Sequence, residues 1–372
     1  MTTPFEDRAA GALMGALIGD ALGVGPHWYY DLDELRAAYG PWISDYTTPK
    51  PGRYHAELKA GESSQAGFLL ELTMKSLAER GGYDEADFCQ RMDRDFFPLI
   101  DGTPNNGPGG YTSQSMRETY RLSVKRGQPW GQVAGWADTT EAAERVLAIA
   151  VRHARDPVAT ARHVSSNTAL TQMDATVGAM TTAYALTLGQ LVQGVRFDGH
   201  ITAALMALVR EGKLPFHSVT KPGEDAVPDG PERPRLAGQF ASPDALLGIG
   251  YIAAAALDPG VRIEPAWKVS QVYGMPCAVY HQFPAAYHLA ARYADDFECA
   301  VLHAINGGGQ NQARAILTGA LVGAMVGVQG IPRRFIQGLD RSEERLQLAR
   351  RIAAQAQGST NTIQEIDHVH EL

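Results

Sequence analysis

The stretch GALMGALIGDALG, Gly11 to Gly23, carries a glycine at every fourth position: Gly11, Gly15, Gly19 and Gly23. Near the other end of the chain, NQARAILTGALVGAMVG repeats the device with Gly319, Gly323 and Gly327. Four-residue spacing sets these positions along one stripe of an α-helix, where missing side chains let another backbone come close. Each interior glycine costs roughly 1 kcal/mol of helix propensity against alanine. Two such helices therefore predict tight packing at the centre of a helical domain, with the two ladders against each other as one arrangement. In lipid the pattern would mark helix association, but the polar flanks favour packing in water.

Working outward, helical periodicity dominates. Apolar positions recur three and four apart over Phe5–Leu22, Glu62–Arg80, Ser113–Arg126, Thr140–Ala154, Asp174–Leu191 and Gly199–Glu211. Alternating β-branched runs are nearly absent, so the expected class is all-α. At 372 residues, length alone would allow two or three domains. Pro/Gly-rich breaks fall at Tyr46–Gly52, Gly102–Gly110, Pro215–Pro234 and Asp258–Pro265. The third is the longest and most polar, yet similar helical patterns flank it. The reading is a single domain over residues 1–372 with a surface loop at about 215–234.

There are 33 Lys+Arg against 41 Asp+Glu, a net charge of −8. That balance argues against a broad nucleic-acid or anionic-membrane surface and leaves room for a small-molecule ligand in a local pocket. Cys89, Cys277 and Cys299 form no CxxC pair and suggest a reducing compartment. The N-terminus, MTTPFEDR, is acidic where a secretory signal would be basic. The uncharged run between Arg314 and Arg333 is broken by glycines, Gln329 and Pro332, so a buried helix is expected rather than a membrane span. Localisation is expected to be cytoplasmic.

Chemistry begins where the ladders end. Asp20 sits inside the first ladder, followed by Pro26-His27-Trp28-Tyr29-Tyr30-Asp31. The second opens with Asn306-Gly307-Gly308-Gly309-Gln310-Asn311-Gln312-Ala313-Arg314. A glycine-rich turn entering a helix offers free N–H groups to an anion, a signal that is weak by itself. There is no GxSxG elbow, HExxH or GxxxxGK[ST] loop, which disfavours those hydrolase and NTPase classes.

The opening GALMGALIGDALG, the Gly61–Gly67 segment, LTQMDA at Leu170–Ala175 and NGGGQNQARAILTGALVGAMVG together resemble the ADP-ribosylglycohydrolase family over nearly the whole chain. The resemblance implies a compact all-α fold, an ADP-ribose-type substrate, and hydrolysis at the ribose anomeric carbon assisted by two magnesium ions. The departures are specific. Where the family carries Thr-Asp-Asp-Thr, this chain has Ser64-Gln65-Ala66-Gly67, and Asp-x-Asp-Thr is replaced by Gln310-Asn311-Gln312-Ala313. His27 stands in for the family Glu after GDALG, and Gln172 for a His. Magnesium prefers charged, hard oxygen ligands, so no metal or other cofactor is expected.

The expected acid/base candidates are Asp20, His27, Glu57 and Glu62. Histidine suits proton transfer near neutral pH; His27 could equally bond a backbone group beneath Trp28. Asp20 could be satisfied by nearby backbone N–H groups. Glu57 and Glu62 could act as a metal-free glycosidase pair or line a solvated face. The expected binding shell comprises Trp28, Tyr29, His55, Ser64, Gln65, Asn106, Thr112, Gln310, Asn311, Gln312 and Arg314. Among these, Trp28 and Tyr29 (with Tyr30) could stack on a base or sugar or serve the core. Arg314 could pair with an anionic ligand or bridge to Asp20 across the ladders. The leading expectation is a metal-independent hydrolase, or related lyase or transferase, for a small ribosyl- or glycosyl-like substrate. An inactive ligand-binding member is the alternative, and a magnesium enzyme with unusual ligands the third. The second ladder could serve a homodimer interface.

Overall fold

A computed structural model describes residues 3–217 and 240–358. Helix α1 (Phe5–Val24) is buried without interruption from Ala9 to Val24. The helices that follow are α2 (Leu32–Tyr39), α3 (Gln65–Arg80), α4 (Glu85–Arg91), α5 (Gln114–Tyr120), α6 (Glu141–Arg152), α7 (Pro157–Ala169) and α8 (Ala175–Val192). After them come α9 (Ala203–Arg210), α10 (Asp244–Leu257), α11 (Val269–Tyr273), α12 (Val279–Arg292) and α13 (Phe297–Asn306). The chain closes with α14 (Asn311–Val326), α15 (Arg333–Gly338) and α16 (Ser342–Gly358). Among the described residues there is no β-strand, only isolated bridges such as Gly135–Gln172. The all-α reading is correct.

The two ladders face each other, antiparallel. A Cβ on Gly11 would run into the Gly323 carbonyl, one on Gly15 into that of Gly319, and one on Gly19 into that of Ala315. Gly319 and Gly323 return the same contacts to the carbonyls of Gly15 and Gly11. The helices thus touch backbone to backbone, and α3, α6, α8, α12, α13 and α16 pack around this central pair. Tyr184 of α8 donates to the Leu317 carbonyl at 2.9 Å. On the outer side, Glu71 of α3 accepts from Arg341 and Arg345 at 2.5 and 3.2 Å, fixing α16 across α3. The α14 glycine stripe is covered by α1.

Helix boundaries differ from the sequence pattern where capping intervenes. α3 starts at Gln65 rather than Glu62 because the Ser64 hydroxyl accepts from the Ala66 N–H at 3.0 Å and ends the preceding turn. α5 stops at Tyr120 and continues as a wider π-turn over Arg121–Lys125. The surface loop expected at 215–234 lies, from residue 218 onward, outside the described residues. No described helix is long and apolar enough to cross a membrane.

Glycine-to-alanine changes test this packing in both directions. At Gly15 or Gly319 the propensity gain of about 1 kcal/mol meets a backbone carbonyl that cannot move aside, and overpacking of this kind costs about 1–3 kcal/mol or more. Gly15→Ala and Gly319→Ala should each lower stability in denaturant unfolding. Gly248→Ala, on α10 with nothing within 4 Å of its added methyl, should raise stability by roughly 0.5–1 kcal/mol.

Candidate functional site

Antiparallel pairing puts the C-terminal end of α1 beside the N-terminal end of α14, and this junction forms the floor of a cleft holding about 640 Å³ of space including its mouth. Its walls are the starts of α3, α6 and α14, the turn after α1, and the segments around His55, Tyr111–Arg117 and Cys277. The N-terminal ends of three long helices therefore converge on it.

Asp20 lies fully buried under the floor. Its carboxylate accepts from the Ser64 hydroxyl at 2.6 Å, the Ser64 N–H at 3.0 Å and Gln312 Nε2 at 2.7 Å. Burial raises its pKa, opposed by those hydrogen bonds and by the Arg345 guanidinium. Ser64 works twice, donating to Asp20 while capping α3. Gln65 accepts from the Ser113 N–H at 2.9 Å, whereas its buried Nε2 has no partner.

On one wall a chain of contacts links three loops. His27 Nδ1 lies 2.7 Å from His55 Nε2, and His27 Nε2 lies 2.9 Å from Gln310 Oε1. His55 Nδ1 contacts the Gly109 carbonyl, and the Trp28 indole N–H donates to the same Gln310 oxygen. The imidazoles of His27 and His55 stack at 4.9 Å between ring centres, with Trp28 against His27 at 4.3 Å. Tyr111 meets Trp28 edge-on at 4.5 Å. Burial, then the neighbouring imidazole, push His27 well below the ordinary histidine pKa, and burial takes His55 down to about 4. Trp28 and His55 both hold left-handed backbone, φ 60° and 65°. Non-glycine residues adopt this at a cost of about 1–3 kcal/mol, and such strain gathers at functional sites.

The cleft lining also carries two acids that the sequence reading did not single out. Glu141 and Glu144 both line the cleft from the first turns of α6. Thr139 donates to Glu141, and Thr140 donates to Glu144 at 2.6 Å. Burial, and secondarily the Glu141 charge, lift the Glu144 pKa to about 8; burial raises Glu141 too. The segment DTTEAAER looks like an ordinary helix start, and only the fold turns its i, i+3 face into the cleft. Cys277 also lines the cleft, but burial holds its thiol protonated, with a pKa near 11.

Of the expected residues, His27, Trp28, His55, Ser64, Gln65, Gln310 and Gln312 line the cleft, with Asp20 directly beneath. The others lie elsewhere. Glu57 is exposed, and Glu62 accepts the Lys59 N–H at 2.7 Å to close a surface turn, so neither acid reaches the cleft. Tyr29 is buried against Tyr39 and Arg53. Asn106 is exposed, and Thr112 is buried and donates to the Asn106 carbonyl. Asn311 points to the Gly23 and Ile305 carbonyls. Arg314 meets neither an anion nor Asp20. Fully buried, it donates to the Ala304 and Gly308 carbonyls at 2.9 and 2.6 Å and to Gln282 at 3.3 Å, clamping the glycine turn. Gln172 is likewise structural, accepting from the Ala142 N–H and donating to the Ala137 and Thr139 carbonyls at the start of α6.

The model of the ADP-ribosylglycohydrolase family matches residues 1–362. An "uncharacterized protein" of Archaeoglobus fulgidus is 23% identical over 350 residues, covering 94% of this chain and 96% of its own length. Among solved structures, an "ADP-ribosylglycohydrolase-related protein complex" is similar with a TM-score of 0.60 at 17% identity, covering 95% of this chain and 99% of that one, a likeness of fold. The chain belongs to the ADP-ribosylglycohydrolase family.

Proposed function

We propose that the protein is a glycosidic-type hydrolase that acts on a small, polar, ribosyl- or glycosyl-like substrate by acid–base chemistry, without a pair of magnesium ions. The observation that carries this reading is Glu144, a cleft carboxyl that burial keeps protonated up to about pH 8. A carboxylic acid that retains its proton at neutral pH can give it to a leaving group, and such donors contribute typically about 10²–10⁴-fold to rate. His27, kept neutral by burial, is the complementary proton acceptor. As the bond from the anomeric carbon to the leaving oxygen or nitrogen breaks, Glu144 protonates that atom. Water bonds to the carbon and its proton passes to His27; transfer through solvent then restores Glu144.

The donor set argues against the family's metal centre. Asp20 is the one carboxylate among the expected floor residues, and both of its oxygens already accept N–H or O–H groups. Gln312 turns a hydrogen-bond donor toward it, which a cation would repel, and Gln65 and Gln310 offer only neutral amides. Among the described residues no group of three His, Cys, Asp or Glu side chains is placed to hold a metal. In this reading Asp20 positions Ser64 and Gln312 rather than a metal. An inactive member would be expected to fill its pocket with apolar side chains; this cleft presents His, Gln, Ser, Glu and Arg side chains beside Trp28, Ala66, Leu69, Tyr111 and Cys277.

Two experiments test the proposal. Glu144→Gln should lower turnover by about 100-fold or more on any substrate identified by screening ribosides and glycosides. It should also stabilise the fold. A carboxyl whose pKa is higher folded than unfolded binds more protons in the native state, so stability is greatest below about pH 4.5 and falls as pH rises toward 8. The variant lacks that loss, and its melting temperature should exceed the native one by a margin that widens between pH 5 and pH 8. Separately, millimolar magnesium should give no calorimetric binding and no thermal shift. Two-site binding at micromolar affinity would overturn the metal-free reading.

A further inference from the structure

The contacts on the histidine wall contain more places for hydrogens than two neutral imidazoles can fill. The Gly109 carbonyl can only accept, and its contact with His55 Nδ1 is the shortest of the three, which puts the His55 hydrogen on Nδ1. A neutral His55 then has a bare Nε2, and the 2.7 Å contact to His27 is filled by a hydrogen on His27 Nδ1. That leaves His27 Nε2 bare, yet it faces the Gln310 oxygen at 2.9 Å. The amide cannot simply turn over. The Trp28 indole N–H only donates, and it holds that oxygen on this side. Three gaps, two hydrogens: the Gly109 and Gln310 oxygens both only accept, and the deficit is placed at the longest of the three contacts, His27 Nε2 to Gln310.

We propose that His55, backed by the Gly109 carbonyl, is a positioning residue that locks His27 in its Nδ1–H tautomer, so that His27 Nε2 is the proton acceptor of the cleft and Gln310 Oε1 is set to receive the hydrogen once it arrives. The proton comes from the attacking water as its oxygen bonds to carbon. Taking it up completes the chain from Gly109 to Trp28, turning an opposed pair of lone pairs into a hydrogen bond. The arrangement follows the logic of an acid–histidine pair, in which a buried acceptor fixes which nitrogen is free, with a second neutral imidazole as the acceptor. The left-handed backbone at both Trp28 and His55 is what brings their side chains to the two ends of the chain. The charges around it are Arg53, which donates to the Trp28 carbonyl at 2.7 Å, and, lining the cleft, Arg117, Glu141 and Glu144. The inference rests on the hydrolase reading only in calling the acceptor catalytic; the proposed tautomer is argued from the contact distances alone.

Long-range ¹H–¹⁵N correlations on the full-length protein, with no ligand added at pH 7, read the tautomers directly. The expected result is a hydrogen on Nδ1 of both His27 and His55, with both Nε2 atoms bare. His55→Phe removes the acceptor and should move His27 to the Nε2–H form, which can donate to Gln310. His55→Gln retains a carbonyl acceptor and should keep His27 as Nδ1–H. A native His27 protonated at Nε2 overturns the proposal, as does a His27 tautomer indifferent to His55→Phe. Because no turnover is measured, these outcomes are independent of whether the glycosidic reading holds.

Discussion

Helices α1 and α14 meet through their main chains, carbonyl against Cα, along most of the first ladder. A contact of that kind fixes axial register more tightly than interdigitating side chains do, because a carbonyl cannot change rotamer to make room. Register in turn decides which residues share the end of the pair. With Gly15 opposite Gly319 and Gly19 opposite Ala315, Asp20 comes level with Gln312. A slip of one turn, about 5.4 Å, would set that carboxylate against Ile316 and remove its Gln312 donor. The floor of the cleft is thus a consequence of glycine spacing.

The electrostatics of the cleft follow from what surrounds each acid. Three helix N-termini supply partial positive charge, but that influence fades within a turn, and burial dominates at Glu144. Asp20 is equally buried yet has three donors aimed at it. Two carboxyls in one small region are thereby driven toward different roles, one held in place and one able to release a proton. The neutral amides of Gln65, Gln310 and Gln312 are consistent with this division, since extra negative charge there would press both acids toward the neutral form.

The fold was legible in the sequence because the glycine ladders and the 3.6-residue periodicity both report backbone packing, which operates at short range along the chain. Parts of the site were legible for the same reason: Asp20, His27, Ser64 and the amides lie on or beside the motif helices. Glu57 and Glu62 misled because closeness to a motif in sequence carries no information about which way a loop faces; the turn from Lys59 to Glu62 points outward. Glu141 and Glu144 were missed because a helix start rich in acids is ordinary on a surface, and only packing shows that this one is buried. For Arg314 the sequence suggests an anionic ligand or a bridge to Asp20, because a lone cation beside a glycine turn fits either, whereas the Ala304 and Gly308 carbonyls and Gln282 take up its donors.

The central pair joins segments about three hundred residues apart, Gly11 to Gly323. During synthesis, α1 leaves the ribosome long before its partner exists. For most of that interval a helix that ends up wholly buried has no native surface to cover it, and non-local contacts of this span are slow to form. The helices between must assemble around a vacancy or wait for it to close. Loss of the last third of the chain would remove α14 and leave the glycine stripe of α1 without the helix that covers it.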